Sequence, residues 1–210
     1  MSDIAACGGT PIWAVLTICV PNPFDREWIS RFSDGLNEAL KEYNVALVGG
    51  DTTRSSGGIT LSLTVGGQHN GVPILRAGAS PNETIWVSGN LGDASGGFNM
   101  PNAPEPLKNA HRNPSPPTAL GPRLAGIATA AMDLSDGLSR DIHRLCQASD
   151  CGAIIYPELL PASSMLQKLA GSALLSHQVG FGEDYELLFI APEDARESVL
   201  AIASELKIKV

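Results

Sequence analysis

The chain has 210 residues, enough for a sizeable core in one large domain or two small ones, with 22 acidic against 14 basic side chains and a net charge of −8. That acidity argues against a nucleic-acid surface, and the scatter of four cysteines and four histidines argues against a zinc site or a disulfide framework. No secretory signal is visible and the apolar run Trp13 to Val20 stops at Pro21, too short for a bilayer, so a soluble protein of the reducing cytoplasm, away from membranes, is expected.

In chain order, Ile12 to Val20 reads as a buried strand rich in β-branched residues. Asp25 to Asn44 reads as an amphipathic helix, with Trp28, Ile29, Phe32, Leu36, Leu40 and Tyr43 at three- and four-residue spacing. Val45 to Val48 predicts a short strand ending in a Gly49-Gly50 turn. Ile59 to Val65 alternates apolar and hydroxyl side chains, the pattern of a half-buried strand. Gly78 to Asn82 reads as a linker.

Beyond it, Thr84 to Val87 predicts a strand and Asn90 to Asp93 a turn. Seven prolines between residues 99 and 122 predict mostly loop. Ala128 to Met132 predicts a strand leading into Asp133, and Leu138, Ile142, Leu145 and Cys146 mark a helix face. Strands are expected at Ala153 to Tyr156 and Tyr185 to Ile190, and a helix at Pro192 to Leu206 with Glu193 and Asp194 at its positive end. Strands alternating with helices over uneven connections predict a mixed α/β fold (α+β sheets) in two parts, 1–78 and 79–210.

Three acidic strings carry the chemistry. Asp133-Leu134-Ser135-Asp136-Gly137 offers two hard carboxylates where a strand hands over to a helix, and helix N–H groups suit a phosphate. Ser135 or Asp136 could equally be a plain helix cap. Gly49-Gly50-Asp51-Thr52-Thr53 allows close backbone approach to a ligand, or is an ordinary turn. Gly182-Glu183-Asp184-Tyr185-Glu186 is a third such string, or a solvated charge cluster at a strand start. No P-loop, protein-kinase set, G-x-S-x-G or Rossmann fingerprint occurs.

These strings, with Ser2-Asp3-Ile4-Ala5-Ala6 and Gly92-Asp93-Ala94, resemble in order and spacing the thiamine-monophosphate kinase family of the aminoimidazole-ribonucleotide-synthetase-like superfamily. The resemblance implies ATP-dependent phosphorylation of thiamine monophosphate to thiamine diphosphate by a homodimer, with Mg²⁺ bridging the phosphates. It implies metal ligands at Asp3, Asp51, Asp133 and Asp136, ATP contacts at Gly50, Asp51, Arg76 and Ser135, and a thiamine-side contact at Glu183. No covalent intermediate and no general base is implied. By the same resemblance residues 1–78 belong to an ATP-binding and dimerisation part and 79–210 to a C-terminal α/β part.

The chain departs from that family at both ends. Its members carry a further N-terminal segment with a Gly-Asp-Asp string, and continue past Val210 to an aromatic residue for the thiamine ring. The family's Arg-Pro-x-Pro-Arg pattern here reads Arg112-Asn113-Pro114-Ser115-Pro116-Pro117. A truncated chain is therefore expected, and two alternatives stay open: an incompetent fragment or degenerate homologue that only associates, or another phosphotransferase of the superfamily.

Overall fold

The computed structural model describes all 210 residues. In chain order the elements are α1 (Ser2–Ala6), β1 (Thr10–Val20), α2 (Arg26–Glu42), β2 (Ala46–Arg54), β3 (Thr60–Gln68), β4 (Thr84–Val87), α3 (Asp93–Asn99), α4 (Glu105–Arg112), α5 (Gly121–Leu124), β5 (Ala130–Asp133), α6 (Leu138–Ser149), α7 (Ser164–Ala170), α8 (Leu174–Gly180), β6 (Leu187–Ala191) and α9 (Arg196–Leu206). They form two compact units. The larger joins Met1–Gly9 to His69–Val210, and the smaller is Thr10–Gln68. These units do not coincide with a cut between residues 78 and 79.

In the larger unit β6 is the central strand of the order β4-β6-β5, antiparallel to both neighbours. All five of its residues are buried, because helices cover both faces. Leu187, Phe189 and Ala191 point into a core with Trp86, Ala131, Ala5, Leu120, Leu124, Val199 and Ile202. Leu188 and Ile190 point the other way, against Ala130, Met132, Leu138, Ile142 and Leu145. The period of two along one strand thus feeds two cores, which is why the run is apolar throughout. Trp86 stacks on Phe189 with ring centroids 6.2 Å apart, and the Arg196 guanidinium lies 5.4 Å from the Trp86 ring.

The smaller unit has the order β2-β1-β3, with β1 parallel to β2 and antiparallel to β3. A parallel pair needs a crossover, and α2 supplies it. The Asp25 carboxylate caps α2 by accepting from Glu27 N–H (2.8 Å) and Trp28 N–H (3.2 Å). Ala14, Leu16 and Val20 are buried along β1, while β2 is exposed along its whole length. Leu47, Val48, Leu61 and Leu63 keep 50, 64, 41 and 44% of their surface exposed.

The mixed α/β fold in small sheets agrees with expectation, but three local expectations need correction. Gly49-Gly50-Asp51 is not a turn. It lies inside β2, whose pairing with β1 slips by one residue at Ala14/Val15, a bulge that the two glycines accommodate. A Cβ on Gly50 would meet Leu16 O at 1.9 Å. Residues 99–122 are mostly loop, as expected, but they also hold helix: Pro104 and Pro106 open α4 and Pro122 opens α5, where a missing N–H costs nothing. Residues 153–156 form no strand, having no partner, and leave Ile154 and Tyr156 exposed. Neither Ser135 nor Asp136 caps α6; Gly137 occupies the N-cap without a side-chain bond.

Candidate active site

Strand β5 delivers Asp133 at its last residue, and the buried Asp133 Oδ2 accepts a 2.7 Å hydrogen bond from Ser2 Oγ on α1. Burial pushes the Asp133 carboxyl above the ordinary carboxylate range, the Ser2 bond opposes this, and the charge of Asp3 adds to it. The Cys7 thiol senses the same neighbours: burial and Asp3 raise it, Arg76 lowers it and Asp133 raises it. Asp3, Asp133 and Arg76 are thus gathered where α1 meets the end of β5.

The next turn is held by an acid the sequence patterns did not single out. Asp141, fully buried in the first turn of α6, accepts the Asp136 N–H at 3.0 Å and an Arg144 N–H at 2.9 Å. Arg144 also pairs closely with the Asp136 carboxylate. Asp141 and Arg144 therefore fix the backbone and the side chain of Asp136. The available signal was an acid in the first helical turn with a cation three residues on.

Two of the acidic strings are laced together through the main chain. Leu134 N–H donates to Glu186 O (2.8 Å), Tyr185 N–H to Leu134 O (2.9 Å) and Glu183 N–H to Ser135 O (3.1 Å). Their glycines allow the contact: a Cβ on Gly137 would meet Phe181 O at 2.5 Å, and one on Gly182 would meet Ser135 O at 2.3 Å. Just after Gly182, Glu183 and Tyr185 hold φ values of 66° and 52°, uncommon for residues with side chains. The Tyr185 hydroxyl donates to Glu183 Oε2 at 3.2 Å, and burial and the charges of Glu183, Asp133 and Asp136 push its phenol up.

The remaining acids of the third string turn inward. Asp184 accepts the Gly92 N–H at 2.9 Å at the start of α3, and burial raises its carboxyl to about 7. Glu186 takes the Ser88 hydroxyl, whose oxygen accepts Leu187 N–H at 2.8 Å, and burial likewise raises Glu186 to about 7. These two acids brace the loop through Gly92 and Ser88.

Gly50 and Asp51 belong to the smaller unit. Asp51 is exposed and its Oδ1 accepts the N–H of Thr52 at 2.8 Å. The exposed Arg76 lends its carbonyl to Ser149 Oγ at 3.1 Å. The structure brings Asp3, Arg76, Asp133, Ser135, Asp136 and Glu183 together in the larger unit, with Gly50 and Asp51 side by side on β2.

No three carboxylate, imidazole or thiol groups converge as a ready-made metal centre. The donors are nevertheless of the right kind for Mg²⁺, which takes one or two carboxylates and fills its octahedron from water and substrate phosphates. Asp133, buried beside Asp3, is a carboxylate that a cation would relieve.

Residues 1–69 match the family of the AIR synthase related protein, N-terminal domain, and residues 107–210 that of its C-terminal domain. The chain is similar to thiamine-monophosphate kinase of Escherichia coli O157:H7, 39% identical over 207 residues, covering 92% of this chain and 62% of the relative. It is similar to the crystal structure of thiamine-monophosphate kinase from Stenotrophomonas maltophilia K279a, with a TM-score of 0.90 and 35% identity, covering 99% of this chain and 69% of that one. A further similar structure, AaThiL complexed with AMPPCP and TMP, has a TM-score of 0.84 and 30% identity over 92% of this chain and 65% of that one. The chain thus spans a little under two thirds of the length of the curated relative.

Proposed function

The chain belongs to the AIR synthase related family, among the thiamine-monophosphate kinases, and from that premise we propose that it serves the Mg²⁺- and ATP-dependent phosphorylation of thiamine monophosphate to thiamine diphosphate. The observation that carries the reading is the lacing of the Asp133–Gly137 and Gly182–Glu186 strings into one surface. One string offers carboxylates to a metal–phosphate centre, and the other offers Glu183 to the thiamine end.

In this reading Asp3, Asp51, Asp133 and Asp136 hold Mg²⁺, and Gly50, Asp51, Arg76 and Ser135 contact ATP. Mg²⁺, when bound, supplies the positive charge that lets two phosphate groups approach. The chain's own residues do the positioning. Ser2 orients Asp133, Asp141 and Arg144 fix Asp136, and Tyr185 points the Glu183 carboxylate. Arg76 adds a fixed cation for the anionic substrates. The acceptor phosphate oxygen is already ionised at neutral pH, so no residue need act as base, and orientation accounts for most of the rate.

The residue ranges 1–78 and 79–210 are proposed as functional parts for nucleotide and dimer contacts and for the C-terminal α/β role. A homodimer is part of the reading, and the exposed Leu47, Val48, Leu61 and Leu63 of the smaller unit offer it apolar surface. No helix is long and apolar enough to cross a membrane, and a cytoplasmic setting is proposed with the substrates.

The test is direct. The chain is incubated with thiamine monophosphate and Mg·ATP, thiamine diphosphate is followed by chromatography, and binding is followed by calorimetry. Turnover is the expected result, and absence of Mg·ATP binding at millimolar nucleotide defeats the reading. A second reading, association without turnover, is favoured by the ion pair that already occupies Asp136; it predicts no thiamine diphosphate and no Mg·ATP binding at millimolar nucleotide.

A further inference from the structure

Helix α6 ends in a left-handed turn. Asp150 has φ 50° and ψ 46°, its N–H donates to Gln147 O at 3.4 Å, and Cys151 N–H donates to Cys146 O at 3.1 Å. This pair of bonds is the Schellman arrangement, which presses the second residue past the helix against a residue of its last turn, ordinarily as an apolar contact. Here both residues are cysteines, and Cys151 lies close enough to Cys146 to push its thiol up.

All four thiols of the chain are free, and this pair is only partly covered. Both sulfurs pack beside the core containing Leu138, Leu145 and Ile190. Both also line an open cavity of about 530 Å³ whose wall includes Ile154, Tyr156 and Leu159. Oxidant therefore has a route to them. The bond from Cys151 N–H to Cys146 O holds the two residues against each other, and a bridge between them needs Cα atoms roughly 4.4–6.8 Å apart.

We propose that Cys146 and Cys151 form an oxidation site, a dithiol that closes reversibly to an intramolecular disulfide. The Cys151 thiolate attacks a peroxide oxygen, the O–O bond breaks, and Cys151 sulfenic acid and hydroxide are formed. The Cys146 sulfur then attacks the Cys151 sulfur; the S–O bond breaks and the departing hydroxyl leaves as water with the Cys146 proton. Together two thiols and one hydrogen peroxide give one disulfide and two waters. Two equivalents of an added thiol reverse it by exchange. Burial and then the neighbouring Cys151 hold the Cys146 thiol up, which suits Cys146 to the resolving rather than the first attacking role.

The bond ties the strandless segment after Cys151, which walls the cavity, to the end of α6. It stands independently of the proposed kinase activity. The test uses the reduced 210-residue chain, treated with a few equivalents of hydrogen peroxide, quenched and alkylated. No Lys or Arg lies between the two cysteines, so trypsin leaves both in one peptide running from Leu145 to Lys168.

The expected result is that peptide lighter by two hydrogens and unalkylated, a Tm raised by several degrees, and return of both changes to the starting state with dithiothreitol. In Cys151→Ser, Cys146 should stay alkylatable under the same treatment. The proposal is overturned if both cysteines remain alkylatable in the wild-type chain, or if the product is a chain-to-chain bridge or a sulfinic acid. The wild-type peptide mass decides this even if the variant fails to fold.

Discussion

The two units each contain a three-stranded sheet built around a central strand, yet they use it differently. In the larger unit β6 is sealed on both faces, and both Leu188 and Phe189, which point opposite ways, are fully buried. In the smaller unit β1 sends Ala14, Leu16 and Val20 inward, but its neighbours β2 and β3 leave Leu47, Val48, Leu61 and Leu63 substantially exposed. A sheet closed on both sides holds a buried carboxylate, Asp133, against a fixed partner, Ser2. A sheet left open keeps apolar surface for something else to cover.

The sharpest way to break this contrast is to truncate one side chain in each sheet. Phe189→Ala should cost about 3–5 kcal/mol in urea unfolding, since the lost ring leaves a cavity with Trp86 on one side. Leu61→Ala, already 41% exposed, should cost less than about 1 kcal/mol. Equal losses would mean that the smaller unit's open face is not open in solution.

A second test bears on the larger unit alone. Asp184 and Glu186 have carboxyls raised to about 7 in the folded chain, so between their unfolded values and 7 the native state binds more protons than the unfolded one. Stability should therefore fall as pH rises from about 4.5 to 7, by up to about 1.4 kcal/mol per pH unit for each group, and flatten above. Melting curves at several pH values should show this slope in the wild type and a smaller one in Glu186→Gln. An unchanged slope in that variant would remove Glu186 as its source.

Asp133→Asn keeps an acceptor for Ser2 but removes the charge. Mg·ATP binding by calorimetry should weaken about tenfold or more, equivalent to about 1.4 kcal/mol, with a small change in Tm. Unchanged affinity would take Asp133 out of the proposed metal set. The smallest expected effect on folding is in the open sheet: Leu61→Ser should shift Tm little while lowering the mass of any dimer seen by light scattering. A dimer that survives would place its interface elsewhere.

How far the sequence could be read follows the same contrast. Strand β3 and helix α2 declare themselves through local periodicity, β1, β4 and β6 as short apolar or β-branched runs, and Asp25 marks the start of α2. Gly49-Gly50 misleads because paired glycines ordinarily turn the chain, whereas here they fit a bulge. The prolines at 104, 106 and 122 hide two short helices within the expected loop, because proline starts helices as well as breaking them.

In the candidate site, Asp133, Asp136 and Glu183 were visible because their strings are compact. Asp141 and Arg144 were not, since their meaning lies in contacts to the Asp136 main chain and side chain. Asp184 and Glu186 sit in the string that was noticed. Their inward role depends on Gly92 and Ser88, more than ninety residues away in the chain.

The stacking of Trp86 on Phe189 has an optical consequence. The chain has three tryptophans, of which Trp13 and Trp28 lie in the smaller unit and Trp86, 8% exposed, in the larger. An indole shielded from water emits to the blue of one that is wet. Each unit therefore carries its own colour, and melting the protein while watching the emission spectrum would report whether the two sheets come apart in one step or in two.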